Sequence, residues 1–169
     1  MTDVDIAFQP EHDHGHCINH ALQDAAELCH SRQLRLTPIR ELVLKLIWQS
    51  HKPLGAYDIL PALAEAGFNS APPTVYRALD FLQEQGLVHR IASLNAFMGC
   101  SHPEDQCHNS FLICKQCHSA VELESPSISK AVQKTAAAIG FEVESETIEI
   151  AGTCPACQAK KRLNNEAST

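Results

Sequence analysis

Cys114-Lys115-Gln116-Cys117 and Cys154-Pro155-Ala156-Cys157 repeat one metal-clamp spacing, two residues between paired cysteines. Four thiolates from two such knuckles close a tetrahedron around one zinc ion, and a site closed by four protein ligands is structural rather than catalytic. The 36 residues between the knuckles exceed the usual zinc-ribbon gap, so a small folded unit is expected between them. The same pairs would also serve as redox dithiols, or simply pack. The eight cysteines follow an acidic, histidine-bearing N-terminus that reads neither as a signal peptide nor as a transit peptide. That combination points to a reducing cytoplasm, where clustered thiols serve metals more often than disulfides.

Residues 1–17 read as a flexible tail carrying His12, His14 and His16. A first helix fits residues 18–33, with Ile18, Leu22, Ala25 and Leu28 on one stripe. Thr37-Pro38 is an N-cap followed by proline at the first helical position, and Leu42, Val43, Leu46 and Ile47 recur behind it at helical spacing. A third helix is expected from about Ala56, with Ile59, Leu60 and Leu63 inward and Pro61 bending it. Ser70-Ala71-Pro72-Pro73-Thr74 launches a fourth helix closed by Gly86, whose buried stripe is Val75, Leu79 and Leu82. Two extended runs, Val88–Ser93 and Ala96–Cys100, joined at Leu94-Asn95, form a two-stranded wing. Helices and hairpin in this order suit a winged helix-turn-helix over residues 18–100, although a helical bundle would use the same stripes.

Residues 101–110 are polar and aperiodic, a linker or metal loop. Residues 111–158 read as an α+β unit: strands at Phe111–Ile113 and Ala120–Leu123, a helix from Ser125-Pro126 to Gly140, and a strand over Phe141–Ile150. The apolar phase of that strand shifts between Val143 and Ile148, which suggests a bulge. Glu142, Glu144, Glu146 and Glu149 read as its solvated face, and residues 159–169 as a tail. Spare strand edges in this unit invite pairing with a second copy. The fold class expected is therefore α+β, a winged helix followed by a small unit whose free strand edges suit dimerisation.

A net charge of −7 argues at first against nucleic acid. Its distribution does not: residues 31–95 carry seven Lys and Arg against five acids, whereas residues 1–30 carry six acids and no Lys or Arg. Only the middle third suits phosphates. No apolar run approaches the roughly 18 residues of a membrane span.

The segment Pro72-Pro73-Thr74-Val75-Tyr76-Arg77-Ala78-Leu79-Asp80-Phe81-Leu82, running into Gln85-Gly86-Leu87-Val88-His89, resembles the ferric uptake regulator family. Arg35-Leu36-Thr37-Pro38-Ile39-Arg40 is similar to the start of that family's second helix, and Leu112-Ile113-Cys114-Lys115-Gln116-Cys117 to its first zinc knuckle. Within the family the chain looks most like the zinc uptake branch. That resemblance implies a cytoplasmic homodimeric repressor, with zinc as corepressor, acting on palindromic operators of zinc-uptake genes. It implies two zinc ions per chain, one structural at the four cysteines and one sensing. The sensing set carried over by the resemblance is His89, Cys100, His108 and Glu122. A different loop register would offer Cys107 in place of His108. A thiolate among these ligands disfavours a hard, oxygen-loving metal.

On the DNA side, the recognition helix would present Tyr76 and Arg77, with Tyr57 as a further family-matched contact. Arg77 suits a bidentate guanine contact, while Arg35, Arg40 and Lys52 suit phosphates. Two rivals stand beside this reading. A sister regulator sensing iron, manganese or peroxide would share the fold, but the Cys in the sensing set and the missing histidine cluster speak against it. A zinc hydrolase or deaminase would need an open coordination position and a nearby general base. No His-x-Glu arrangement precedes Cys154-Pro155-Ala156-Cys157, so no enzymatic role is expected.

Overall fold

The computed structural model describes residues 14–49, 52–103 and 109–166. Four helices come first: α1 (His14–Ser31), α2 (Pro38–Ile47), α3 (Ala56–Glu65) and α4 (Pro72–Glu84). The wing follows as β1 (Val88–Ile91), a 3-10 turn (Ala92–Leu94) and β2 (Ala96–Gly99). The C-terminal unit is β3 (Ser110–Cys114), β4 (Ala120–Glu122), α5 (Pro126–Ala138), β5 (Ile148–Gly152) and α6 (Pro155–Glu166). Among the described residues no helix is long and apolar enough to cross a membrane.

Local chemistry sets these boundaries. Thr37 caps α2, its hydroxyl accepting from the Arg40 N–H, with Pro38 at the first helical position. The Gly55 N–H donates to Asp58 at the start of α3, which runs on through Pro61. Gly86 closes α4 at φ 75°, a left-handed conformation that glycine adopts without a Cβ penalty, and the Leu87 N–H returns to the Leu82 carbonyl. Asn95, at φ 47°, turns β1 into β2. The helical core gathers Val43, Leu44 and Ile47 of α2, Ile59 and Leu63 of α3, and Val75, Leu79 and Leu82 of α4. The Trp48 indole lies against the wing so closely that any side chain at Gly99 would overlap it.

In the C-terminal sheet the strand order is β4-β3-β5. β3 and β4 are antiparallel; β5 returns parallel to β3, so that Cys114 faces Gly152. The unit expected between the knuckles is thus β4, α5 and β5.

Four boundaries differ from the sequence expectation in ways that bear on the sites. α1 begins at His14, so residues 14–17 of the expected tail are helical. Gly15 costs at most about 1 kcal/mol in a helix, and Cys17 and Ile18 are already half-buried behind it. α1 stops at Ser31, because Gln33 takes a left-handed φ of 55° and sends the Leu34 N–H back to the Cys29 carbonyl. The strand expected over 141–150 exists only from Ile148, since β3 pairs no further than Ser110 with Ile148. Its phase shift marks a strand boundary, not a bulge. Finally, the expected tail from 159 is helical to Glu166: the helix formers Gln158 to Arg162 extend a turn nucleated by Pro155. Residues 1–13 of the expected tail lie outside the described residues.

Candidate metal centres and nucleic-acid face

The first knuckle is the turn between β3 and β4. The Cys114 N–H donates to the Ser119 carbonyl and the His118 N–H to the Cys114 carbonyl, with His118 at φ 60°. The second knuckle joins β5 to the first turn of α6. An N–H bond from Lys115 to the Gly152 carbonyl, 2.8 Å long, ties the two together. Cys114, Cys117, Cys154 and Cys157 then converge, their sulfurs all within 4.8 Å of one another. Cys117 and Cys154 stand 3.8 Å apart, sulfur to sulfur. This is far too long for a disulfide and matches the edge of about 3.8 Å expected for a tetrahedron with Zn–S near 2.3 Å.

The ionisation of these thiols points the same way. Burial opposes ionisation of Cys114 and Cys117. Backbone N–H groups of Cys117, Cys154 and Gln116 nevertheless bring Cys114 below its ordinary value, and Ser119 does so for Cys117. Cys154 is raised, first by burial. Cys157 is raised chiefly by the Cys154 thiol and next by burial. Four crowded sulfurs cannot all carry charge unaided, and a divalent cation among them removes that opposition. The donor set fits zinc.

A second grouping lies where the wing meets the C-terminal sheet. His89 projects inward from β1, held by the pairing of β1 with β2 and buried edge-on against Phe111 of β3, with ring centroids 5.2 Å apart. Cys100 follows β2, its N–H bonded to the Leu87 carbonyl. Glu122 ends β4 and accepts the Ser101 N–H at 3.0 Å. One ligand atom from each of His89, Cys100 and Glu122 lies within 4.8 Å of the other two. His89 Nε2 approaches Glu122 Oε1 to 2.5 Å, yet the two are not aligned as a hydrogen bond, and Nε2 is a buried nitrogen with no hydrogen-bond partner. Burial opposes charge on Glu122, but the proximity of His89 and the Ser101 N–H outweigh it and hold the carboxyl below its ordinary range. A buried imidazole nitrogen that makes no hydrogen bond, beside a carboxylate and a sulfur, is a pocket for a cation. His108 and Cys107 lie outside the described residues.

Sequence reasoning missed how this junction is closed. Ile91 of the wing packs with Phe111, Ile113 and Ala120 of the C-terminal sheet, with Leu94 and Met98 beside them. Glu149 of β5 accepts the N–H groups of Ala92 and Ser93 at 2.6 and 3.0 Å. The expected solvated glutamate face therefore fails at Glu149, which caps the wing's 3-10 turn, and at Glu146, which accepts from the Ser129 hydroxyl. No local pattern marks either contact, because their partners are 56–57 and 17 residues away.

Within the winged unit, α4 buries Val75, Ala78, Leu79, Phe81 and Leu82. The remaining face leaves Tyr76 39 % and Arg77 largely exposed near the helix start, while Tyr57 on α3 is 67 % exposed. Arg40, expected on phosphates, is committed elsewhere. Its guanidinium sits 3.4 Å over the Phe81 ring and donates to the Arg35 carbonyl.

Residues 31–151 match the Ferric uptake regulator family. The zinc uptake regulation protein of Escherichia coli (strain K12) is 39 % identical over 137 residues, 80 % of each chain. The crystal structure of holo XcZur shares 46 % identity over 83 % of this chain and 99 % of its own, with a TM-score of 0.75. A zinc uptake regulator complexed with zinc and DNA shares 36 % identity over 86 % and 97 %, with a TM-score of 0.81. A winged unit joined to a four-cysteine unit, matched over most of its length in sequence and in structure, leaves one assignment: the chain belongs to the ferric uptake regulator family.

Proposed function

We propose that this chain is a zinc-responsive transcriptional repressor, in which zinc is the corepressor and the target is a two-fold symmetric operator of zinc-uptake genes. The observation that carries the reading is the junction set: His89 comes from the wing, Cys100 from its exit and Glu122 from the C-terminal sheet, with a buried His89 Nε2 that makes no hydrogen bond. A cation held there would tie the winged helix to the C-terminal unit. His108 is the proposed fourth ligand, which would leave no open coordination position for catalysis. Cys114, Cys117, Cys154 and Cys157 would hold a second, structural zinc, giving two per chain.

The chain would work as a homodimer in the cytoplasm, built from the winged DNA-binding unit 18–100 and the dimerisation unit 111–158. Val132, Ile139, Phe141 and Ile150 of the C-terminal unit are exposed apolar residues that a second copy would cover. Fixing each wing unit on such a dimer sets the spacing of two α4 helices, from which Arg77 and Tyr76 would reach base edges and Tyr57 the flanking DNA. Without the cation that spacing is lost and the ordering cost falls on DNA binding.

The test is operator binding across a buffered free-zinc series, using a duplex selected from random sequence by the zinc-loaded protein. Cys100→Ser and Glu122→Gln should remain folded dimers with one zinc per chain and lose zinc-dependent binding. Operator should also tighten zinc at the junction by the factor with which zinc tightens operator. A Cys100→Ser chain that binds the duplex at wild-type free zinc would overturn the assignment.

A further inference from the structure

His16, His20 and Asp24 recur at every fourth residue of α1 and so stand one above another on one helix face. The family match begins at residue 31, so this face is outside the matched region. His20 Nδ1 lies 2.8 Å from Asp24 Oδ2. A carboxylate beside one ring nitrogen is the outer partner typical of a metal-bound imidazole, whose other nitrogen takes the ion. Helical side chains lean toward the N-terminus, which brings the His20 ring toward the turn that carries His16. The two rings have centroids 6.5 Å apart and planes inclined by 53°. Two imidazoles sharing one tetrahedral zinc through nitrogens at 2.0–2.1 Å sit about 5 Å apart, centre to centre. His16 is exposed and the His20 side chain is 68 % exposed, so closing the remaining gap requires rotation in solvent and no repacking. Two histidines spaced i, i+4 on a helix are a recurrent chelating pair for first-row metals.

We propose that His16 and His20, with Asp24 orienting His20, form a further binding site for a divalent first-row transition-metal ion, zinc foremost, with water completing its coordination. With two protein donors in place of four, it binds more weakly than the proposed junction and knuckle sites. It stands or falls independently of them.

The experiment uses the full chain carrying zinc at its two tighter sites, with excess zinc removed by size exclusion, and adds nickel(II) as a distinguishable probe, followed by calorimetry and by 1H–15N spectra of the histidine rings. The expected result is about one nickel per chain, with broadening confined to the rings of His16 and His20. His20→Gln should remove this uptake. Asp24→Asn should weaken it by about 10-fold, as loss of an outer-shell partner does. The double variant His12→Gln, His14→Gln should retain it. Circular dichroism of each variant checks that α1 is intact. Nickel uptake that survives His20→Gln, or that vanishes in the His12→Gln, His14→Gln variant alone, overturns the proposal.

Discussion

Replacing Cys157 by serine tests whether the four-sulfur cluster is what holds the end of the chain in place. Little else does. The apolar cluster around it is Cys114, Cys154 and Cys157 with Cys117 and Ala156 packed on them. From Pro155 to Asn164 every residue of α6 is exposed except half-buried Ala156 and buried Cys157. Burying a few such small side chains contributes a few kcal/mol at most, at roughly 25 cal/mol per Å². A closed structural zinc contributes about 10–16 kcal/mol in small peptides, against a whole-domain stability of about 5–15 kcal/mol. The metal term therefore dominates, and a three-sulfur remnant cannot replace it. A 12-residue helix released into water is marginal by itself. Cys157→Ser should accordingly lose one zinc per chain, lose the far-UV signal of α6, and fall apart as a dimer. Metal analysis, circular dichroism and light scattering after size exclusion read these three losses separately. Cys29→Ser, at a buried cysteine outside the cluster, should cause none of them. A Cys157→Ser protein with wild-type helicity, dimer mass and zinc content would refute the reasoning.

Arg77→Ala should cost about 1–3 kcal/mol on the selected operator and relax preference at one base pair per half-site, measured by competition among single-base variants. Arg40→Ala should leave the salt dependence of DNA binding unchanged and lower stability by about 0.5–1 kcal/mol in urea, because its guanidinium is spent on Phe81. Burial opposes the charge of Glu149, but the Ser93 hydroxyl and the N–H groups of Ser93 and Ala92 hold its carboxyl below the ordinary range. A depressed folded pKa means the contribution is complete above the unfolded value of about 4.3 and is lost as pH falls through the folded one. Urea midpoints of Glu149→Gln should thus be lower than wild type at pH 6 and converge on it in acid; a gap that persists in acid would contradict this role.

α2 and α4 were legible because they carry their own punctuation: Thr37-Pro38, Pro72-Pro73 and Gly86 act on neighbours a few residues away, whereas α1, read from its apolar stripe alone, was misplaced at both ends. The knuckles were legible for the same reason, since two cysteines three apart are a local statement about a metal. The family resemblance supplied His89, Cys100 and Glu122 as a set, where periodicity offered only an inward strand histidine and an ordinary strand glutamate. What the sequence could not say depends on partners far along the chain. The length of β5 follows from where β3 ends, and the fate of Glu149 from a turn 56–57 residues earlier. Arg40 reads as a cation for phosphate until Phe81 arrives beneath it. Local sequence determined the elements and the metal-clamp chemistry, because caps, turns and chelating spacings act within a turn or two of helix. Tertiary structure alone decided which acid faces water, which arginine is free and which nitrogen is left unpartnered, because those outcomes are fixed by burial against residues that only folding brings near.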